Sequence, residues 1–214
     1  MSFVIDIDDT LISTRERTQG LWRSVLGCDV SIDEIESMNA RQIFEKYATP
    51  EQRPRMRELQ TQFTETMLCR NRVGVDLMKL DKPIPYAAEV LREWHSKNKI
   101  IYFTGRLERV RSETFSQLKT SGFPLEDTEL IMFKEEDWGQ GRVIEARRKT
   151  FEGITSRSSV VRVVDDFPGY FPIYEEYGIP ERIGLIRSMM HTERDFLERG
   201  ATKVVRCWSE LKGL

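Results

Sequence analysis

Apolar residues in this chain come in short runs that stop abruptly at acidic or hydroxyl side chains. Phe3-Val4-Ile5 stops at Asp6, Ile100-Ile101-Tyr102-Phe103 stops at Thr104-Gly105-Arg106, and Val160-Val161-Arg162-Val163-Val164, apolar but for Arg162, stops at Asp165-Asp166. Runs of this length with polar ends are the pattern of parallel strands buried on both faces, where they emerge at the edge of their sheet. Further strands are predicted over 129–133 and 182–186, with a short one at Val204-Val205. Between them, helices are predicted over 86–97, over 110–120 with Gly122 as a C-terminal cap, over 142–154 and around 172–177. From Tyr86 onward helix and strand alternate. That order predicts an α/β fold, a Rossmann-like parallel sheet of about five strands flanked by helices.

The segment from Ser13 to Lys79 has no strand pattern. It carries helical signals over 14–25, a capping box at Ser31-Ile32-Asp33-Glu34, and another at Thr49-Pro50-Glu51-Gln52 with proline at the first helical position. Met56, Leu59, Phe63 and Met67 then follow at helical spacing. The expected organisation is a core of residues 1–12 and 80–214, with an α-helical insertion over 13–79 directly after the first strand.

The carboxylates that end these runs carry the candidate chemistry. Extended backbone sends Asp6 and Asp8 to the same side, about 6 to 7 Å apart along the chain, and the carboxyl edge of an open α/β sheet is where ligands bind. Two converging carboxylates there call for a bound divalent cation, a shared proton, or both. Composition adds limits. Lys and Arg number 33 against 35 Asp and Glu, a formal charge of −2, so no bulk attraction to nucleic acid or membrane is implied. Cys28, Cys69 and Cys207 are far apart and odd in number, as expected of reduced thiols in a cytoplasmic protein. No stretch approaches the roughly 18 apolar residues of a membrane span, and the chain opens on a strand pattern instead of a signal peptide. A soluble cytoplasmic protein is expected.

Four pieces follow one another in a set order. Asp6-Ile7-Asp8-Asp9-Thr10 reads D-x-D-x-T after a strand, Thr104-Gly105 ends a second strand, Lys149 lies in a basic helical segment, and Asp165-Asp166 ends a further strand. Together they resemble the signatures of the haloacid dehalogenase superfamily, and the resemblance spans nearly the whole chain. It implies that Asp6 is a nucleophile forming an aspartyl-phosphate and that Asp8 is the general acid and base. Dehalogenase members lack the second Asp, so phosphoryl chemistry is implied. Thr104 would donate its hydroxyl to a phosphoryl oxygen beside the Gly105 turn. Lys149 would pair with Asp6 and the phosphate, with Lys134 as its rival. Mg²⁺ would be held by Asp6, the Asp8 carbonyl, Asp166 and, directly or through water, Asp165. The insertion over 13–79 corresponds to a cap over the sheet edge. Many members carry a further Asp three or four residues after the acidic pair, where this chain has Gly169 and Tyr170, which implies a weaker metal site.

The expected function is a Mg²⁺-dependent phosphatase acting on a small phosphorylated metabolite. A nucleotide or polynucleotide-end phosphatase is the alternative, favoured by the Thr104-Gly105-Arg106 turn and the missing last acid. A catalytically inactive scaffold and a phosphoaspartate signalling domain come after these, since signalling receivers place their acidic pair on the first strand and the acceptor Asp on a later one. Arg106 and Arg17 are candidate substrate clamps, with Arg15, Arg70 and Arg72 behind them. Trp22 is a candidate to stack on a ring. His95 and His191 receive no assignment, nucleic acid is not favoured as a partner, and oligomeric state is not legible.

Overall fold

The computed structural model describes residues 1–138 and 142–214 and divides into two compact units. One comprises Met1–Ile12, Pro83–Arg187 and His191–Leu214; the other comprises Ser13–Lys82 and Ser188–Met190. The chain enters with β1 (Ser2–Ile5) and the two-residue β2 (Ile12–Ser13). It then runs through α1 (Arg15–Leu26), α2 (Ile32–Ser37), α3 (Ala40–Tyr47), α4 (Met56–Met67) and α5 (Arg72–Leu77), and returns at β3 (Lys82–Pro83), which pairs with β2. Alternation follows: α6 (Ala87–His95), β4 (Lys99–Leu107), α7 (Arg111–Thr120), β5 (Glu129–Phe133), α8 (Arg142–Thr155) and β6 (Val160–Asp165). The last elements are α9 (Phe171–Glu176), β7 (Glu181–Leu185), the short α10 (Glu193–Leu197) and β8 (Lys203–Val205).

The expected parallel α/β sheet forms, with six strands in the order β5-β4-β1-β6-β7-β8. The three-residue β8 at the edge accounts for the sixth. β1 lies between β4 and β6, so Ile5 pairs with both Tyr102 and Val164. The three motif-bearing strand ends are therefore neighbours. Phe3, Ile5, Tyr102 and Val164 join Val90, Leu91 and Trp94 of α6 and the C-terminal Trp208 in one buried apolar cluster. Each such side chain contributes about 1.5–3 kcal/mol when fully buried, which makes the sheet a rigid platform. β4 runs past the predicted end at Phe103, staying extended to Leu107 with a register shift between Thr104 and Leu107.

In the helical unit the capping box at Ser31 and Glu34 forms as read from the sequence. The helix predicted to open at Thr49-Pro50 begins instead at Met56, after a 3₁₀ turn over Arg53–Arg55. Pro54 sits at the start of that turn, where its missing N–H costs no helical bond, and the turn parts from α4 at Arg55, whose φ of −101° and ψ of 17° leave the helical range. Gln52 uses its side chain on the Thr49 N–H and the Leu26 carbonyl, at 3.0 Å each. Trp22 is a core residue and not a stacking platform: it is 1% exposed, and its ring centroid lies 5.0 Å from Phe44 and 4.2 Å from Phe63. Trp22→Ala should cost about 3–5 kcal/mol, read as a lower denaturant midpoint; an unchanged midpoint would contradict this packing. Among the described residues no helix is long and apolar enough to cross a membrane.

Candidate active site

Ladder pairing continues one residue beyond β1, where the Asp6 N–H donates to the Val164 carbonyl at 3.0 Å. The chain then turns on itself. The Leu11 and Ile12 N–H groups donate to the Ile7 carbonyl at 2.8 and 2.9 Å, and the Asp9 N–H donates to the Ile12 carbonyl at 2.7 Å. Closing this turn puts Asp9 in left-handed backbone at φ 53°, a region Asp tolerates better than most residues. The buried Trp208 indole N–H donates to the Thr10 carbonyl at 2.7 Å, pinning the turn to the core.

Asp165 ends β6 and Asp166 follows it. One oxygen from each of Asp6, Asp165 and Asp166 lies within 4.8 Å of the others. Burial, then the charge of Asp165, push the Asp6 carboxyl well above the usual carboxylate range, with Arg147 pulling the other way. Loss of water, then Asp6 and Asp165, push Asp166 up as well. Three clustered carboxylates of which two resist ionisation hold more negative charge than Arg147 alone offsets, and their hard oxygens fit Mg²⁺, which takes oxygen ligands and retains several waters. Asp165 is more heavily engaged than its neighbour. Its Oδ1 accepts from the Phe167 N–H at 2.9 Å, and its Oδ2 accepts from the Tyr174 hydroxyl at 2.6 Å and from Arg147. Asp166 accepts a longer bond from the Thr10 hydroxyl at 3.4 Å.

The cation at this cluster is Arg147 of α8, 2% exposed. Its Nη2 donates to Asp165 and lies 3.4 Å from Asp6 Oδ1, and Nε and Nη2 reach the Tyr174 hydroxyl at 3.0 and 2.8 Å. The guanidinium carbon stands 4.6 Å from the Phe103 ring centroid and 3.8 Å from that of Tyr170, so the group is stacked between two rings. Burial opposes its charge, but Asp165, Tyr174 and Asp6 raise it above the ordinary arginine value. Burial pushes the Tyr174 phenol up in turn.

On the other side of β1, Thr104 is fully buried and its hydroxyl lies 3.4 Å from Asp8 Oδ2. Arg106 forks onto the same carboxylate: Nε lies 2.9 Å from Oδ2 and 3.1 Å from Oδ1, and Nη2 lies 2.8 Å from Oδ1. Nη1 donates to Gln117 Oε1 at 2.6 Å and Thr114 Oγ1 at 3.3 Å, both on α7. The Trp138 indole N–H donates to the Gly105 carbonyl at 2.9 Å and steadies this turn.

Of the residues singled out in the sequence, the structure brings Asp6, Asp165 and Asp166 together and sets Thr104 and Arg106 against Asp8, while Gly105 is held by Trp138. Lys149 is exposed on α8, and its rival Lys134 is exposed after β5. Two residues along a helix are about 200° apart, so the turn that aims Arg147 at the carboxylates aims Lys149 away from them. Arg106 spends its guanidinium on Asp8. Arg17 lies in the helical unit 3.2 Å from the fully buried Asp81 carboxylate, Arg15 pairs with Glu36 at 2.5 Å, and Arg70 and Arg72 pair with Glu65 and Asp76. Arg147, Tyr174, Tyr170, Thr114 and Gln117 were not anticipated. One signal was available for Arg147: with Phe151 and Ile154 it falls at i, i+4 and i+7, on the buried stripe of its helix.

No protein-family model matches the chain. A protein of Bacillus cereus, described as "Putative nucleotidase", is 29% identical over 140 residues, 64% of this chain and 68% of that protein. Solved structures align over almost all of it. A haloacid dehalogenase-like hydrolase family protein from Streptococcus pneumoniae superposes with a TM-score of 0.62 at 14% identity, covering 98% of this chain and 95% of that one. A HAD family hydrolase from Deinococcus radiodurans, crystallised with phosphate and sodium, gives 0.59 at 16% identity over 99% and 93%. The chain has the haloacid dehalogenase fold. Within that fold, the expectation of a lysine on the helix before the last motif strand is corrected: the basic group at the carboxylates is Arg147.

Proposed function

We propose that this protein is a Mg²⁺-dependent phosphatase that works through an aspartyl-phosphate on Asp6. The observation that carries it is the convergence of Asp6, Asp165 and Asp166 within 4.8 Å at the end of the central strand, with Arg147 set against them. Asp6 and Asp166, with the Asp8 carbonyl, are the groups to hold Mg²⁺, whose role when bound is to neutralise phosphoryl charge. A carboxylate oxygen of Asp6 attacks phosphorus as the bond to the leaving oxygen breaks, and Asp8 gives that oxygen a proton. Asp8 then takes a proton from the water that attacks phosphorus, releasing phosphate and restoring Asp6. The Thr104 hydroxyl is the group to receive a phosphoryl oxygen, turning from Asp8 to do so. The helical unit over Ser13–Lys82 serves as the cap, supported by its insertion directly after β1. The odd number and wide spacing of Cys28, Cys69 and Cys207 along the chain support a cytoplasmic setting.

A small phosphorylated metabolite is the favoured substrate. The nucleotidase description of the Bacillus cereus relative favours a nucleoside monophosphate as the second reading. Phosphate release measured across sugar phosphates, nucleoside monophosphates and 3′-phosphorylated oligonucleotides, with and without Mg²⁺, tests both; no release from any would leave an inactive scaffold. EDTA should abolish activity reversibly. Ca²⁺ should inhibit, because its longer oxygen distances displace Asp6 and about 1 Å of misplacement costs roughly 10²-fold. Asp166→Ala should weaken Mg²⁺ titration far more than it lowers stability, while Asp165→Ala, which strands Arg147, should do the reverse. Equal effects of the two substitutions on both measurements would count against this division of roles.

A further inference from the structure

We propose that Arg106 is a positioning residue that fixes the Asp8 carboxylate for proton transfer and does not clamp substrate. The inference rests on the reading of Asp8 as general acid and base. Arg106 has 4% of its side chain exposed against 32% for Asp8, so the side open to an incoming phosphoester belongs to Asp8. The guanidinium is occupied on two edges. Nε and Nη2 hold Asp8, while Nη1 is held by Gln117 at 2.6 Å and Thr114 at 3.3 Å. A planar fork bonded to both carboxylate oxygens sets the plane of that carboxylate as well as its position. Its own backbone is tied in, because the Arg106 N–H donates to Thr104 Oγ1 at 3.1 Å and that hydroxyl lies 3.4 Å from Asp8 Oδ2. A continuous set of bonds thus runs from α7 through Arg106 to Asp8. An arginine meant for phosphate would keep its fork toward the open side. This one turns it onto the residue that moves the proton.

Leaving-group dependence separates positioning from binding. The ratio kcat/KM covers the steps up to phosphorylation of Asp6, and in that step Asp8 matters only when the departing oxygen needs a proton. Wild type, Arg106→Lys, Gln117→Leu and Asp8→Asn are compared with Mg²⁺ on 2,4-dinitrophenyl phosphate, whose phenolate leaves unprotonated, and on the alkyl phosphate that the screen above shows to be turned over fastest. Arg106→Lys keeps the charge and loses the fork. It should lose about 10-fold or more in kcat/KM on the alkyl phosphate, within the roughly 10²–10⁴ that general acid catalysis supplies, and less than about threefold on the aryl phosphate. Gln117→Leu, which leaves Arg106 in place with the longer Thr114 bond still bracing it from α7, should shift the two substrates in the same unequal way by a smaller factor. It carries the test if circular dichroism shows Arg106→Lys to be misfolded. Equal losses on both substrates, or none on either, would overturn the inference and return Arg106 to substrate binding or to a passive place. If Asp8→Asn itself shows no leaving-group dependence, the reading of Asp8 fails first, and the role given to Arg106 falls with it.

Discussion

Asp6→Asn is expected to lose at least about 10⁴-fold in phosphate release and, in the absence of metal, to melt at a higher temperature than wild type. The first effect follows from the amide, which has no electron pair of comparable nucleophilicity to offer phosphorus. A variant keeping more than about a hundredth of the wild-type rate would exclude covalent catalysis through this residue. The second effect follows from the site's charge. Burial first, and then Asp165, hold the Asp6 carboxyl well above its ordinary range, so the folded chain binds that proton more tightly than the unfolded chain does. Above the raised value the ionised group therefore costs stability, at about 1.4 kcal/mol for each unit of displacement. That cost disappears as pH falls through the folded-state value toward the unfolded one near 3.9. Asn is neutral throughout. The gap between variant and wild type in EDTA should thus be widest at alkaline pH and close as pH falls, each kcal/mol being worth roughly 2–4 °C. The bond lost to Arg147, 3.4 Å long, opposes the gain and is the weaker contribution. Saturating Mg²⁺ should reverse the order, since wild type alone keeps the full ligand set and gains by mass action. A variant less stable than wild type in EDTA at every pH would show that Asp6 supports the fold, and that its burial is not strain held for a cation.

Most of the site's acidic half is legible in the sequence because strand chemistry exposes it. Runs buried on both faces carry most of their charge where they end, Arg162 in the middle of β6 being the exception, so Asp6, Thr104 and Asp165-Asp166 announce the same sheet edge three times. Strand order then makes those ends neighbours. The basic half is harder to read for the opposite reason. Arg147, Arg148 and Lys149 are consecutive, and only the phase of α8 decides which of them faces the sheet. Phe151 and Ile154 give that phase and select Arg147, whereas motif order alone selects a lysine. Arg106 is legible as part of a turn, but the fate of its guanidinium depends on α7 supplying Thr114 and Gln117, a tertiary fact with no local signature. Trp22 shows the same limit in the helical unit. Its partners Phe44 and Phe63 lie on α3 and α4, and nothing within the chain near Trp22 tells a buried ring from a platform.

Arg147→Met should cost about 3–5 kcal/mol, the range for breaking a buried ion pair by removing one partner, and should also abolish turnover. Methionine fills much of the space between the Phe103 and Tyr170 rings, so the loss reports charge more than a cavity. What remains is Asp165, 1% exposed, with the Tyr174 hydroxyl and the Phe167 N–H as donors and no cation. Arg147→Lys should recover only part of the stability. A single ammonium replaces a plane that stacks between two rings while bonding Tyr174 through two nitrogens, and lysine cannot reproduce that geometry. Urea denaturation, with midpoint and slope read separately, measures both variants. The double variant Arg147→Met with Asp165→Asn divides structure from chemistry, because it removes the stranded charge along with its partner. Stability should then rise above that of Arg147→Met, a favourable coupling between contacting residues. Phosphate release should stay lost, since Asp6 and the transferring phosphoryl group would still face one another without the fixed positive charge that offsets them. If turnover returned together with stability, Arg147 would serve the fold alone, and the charge for phosphoryl transfer at Asp6 would have to come entirely from the bound cation.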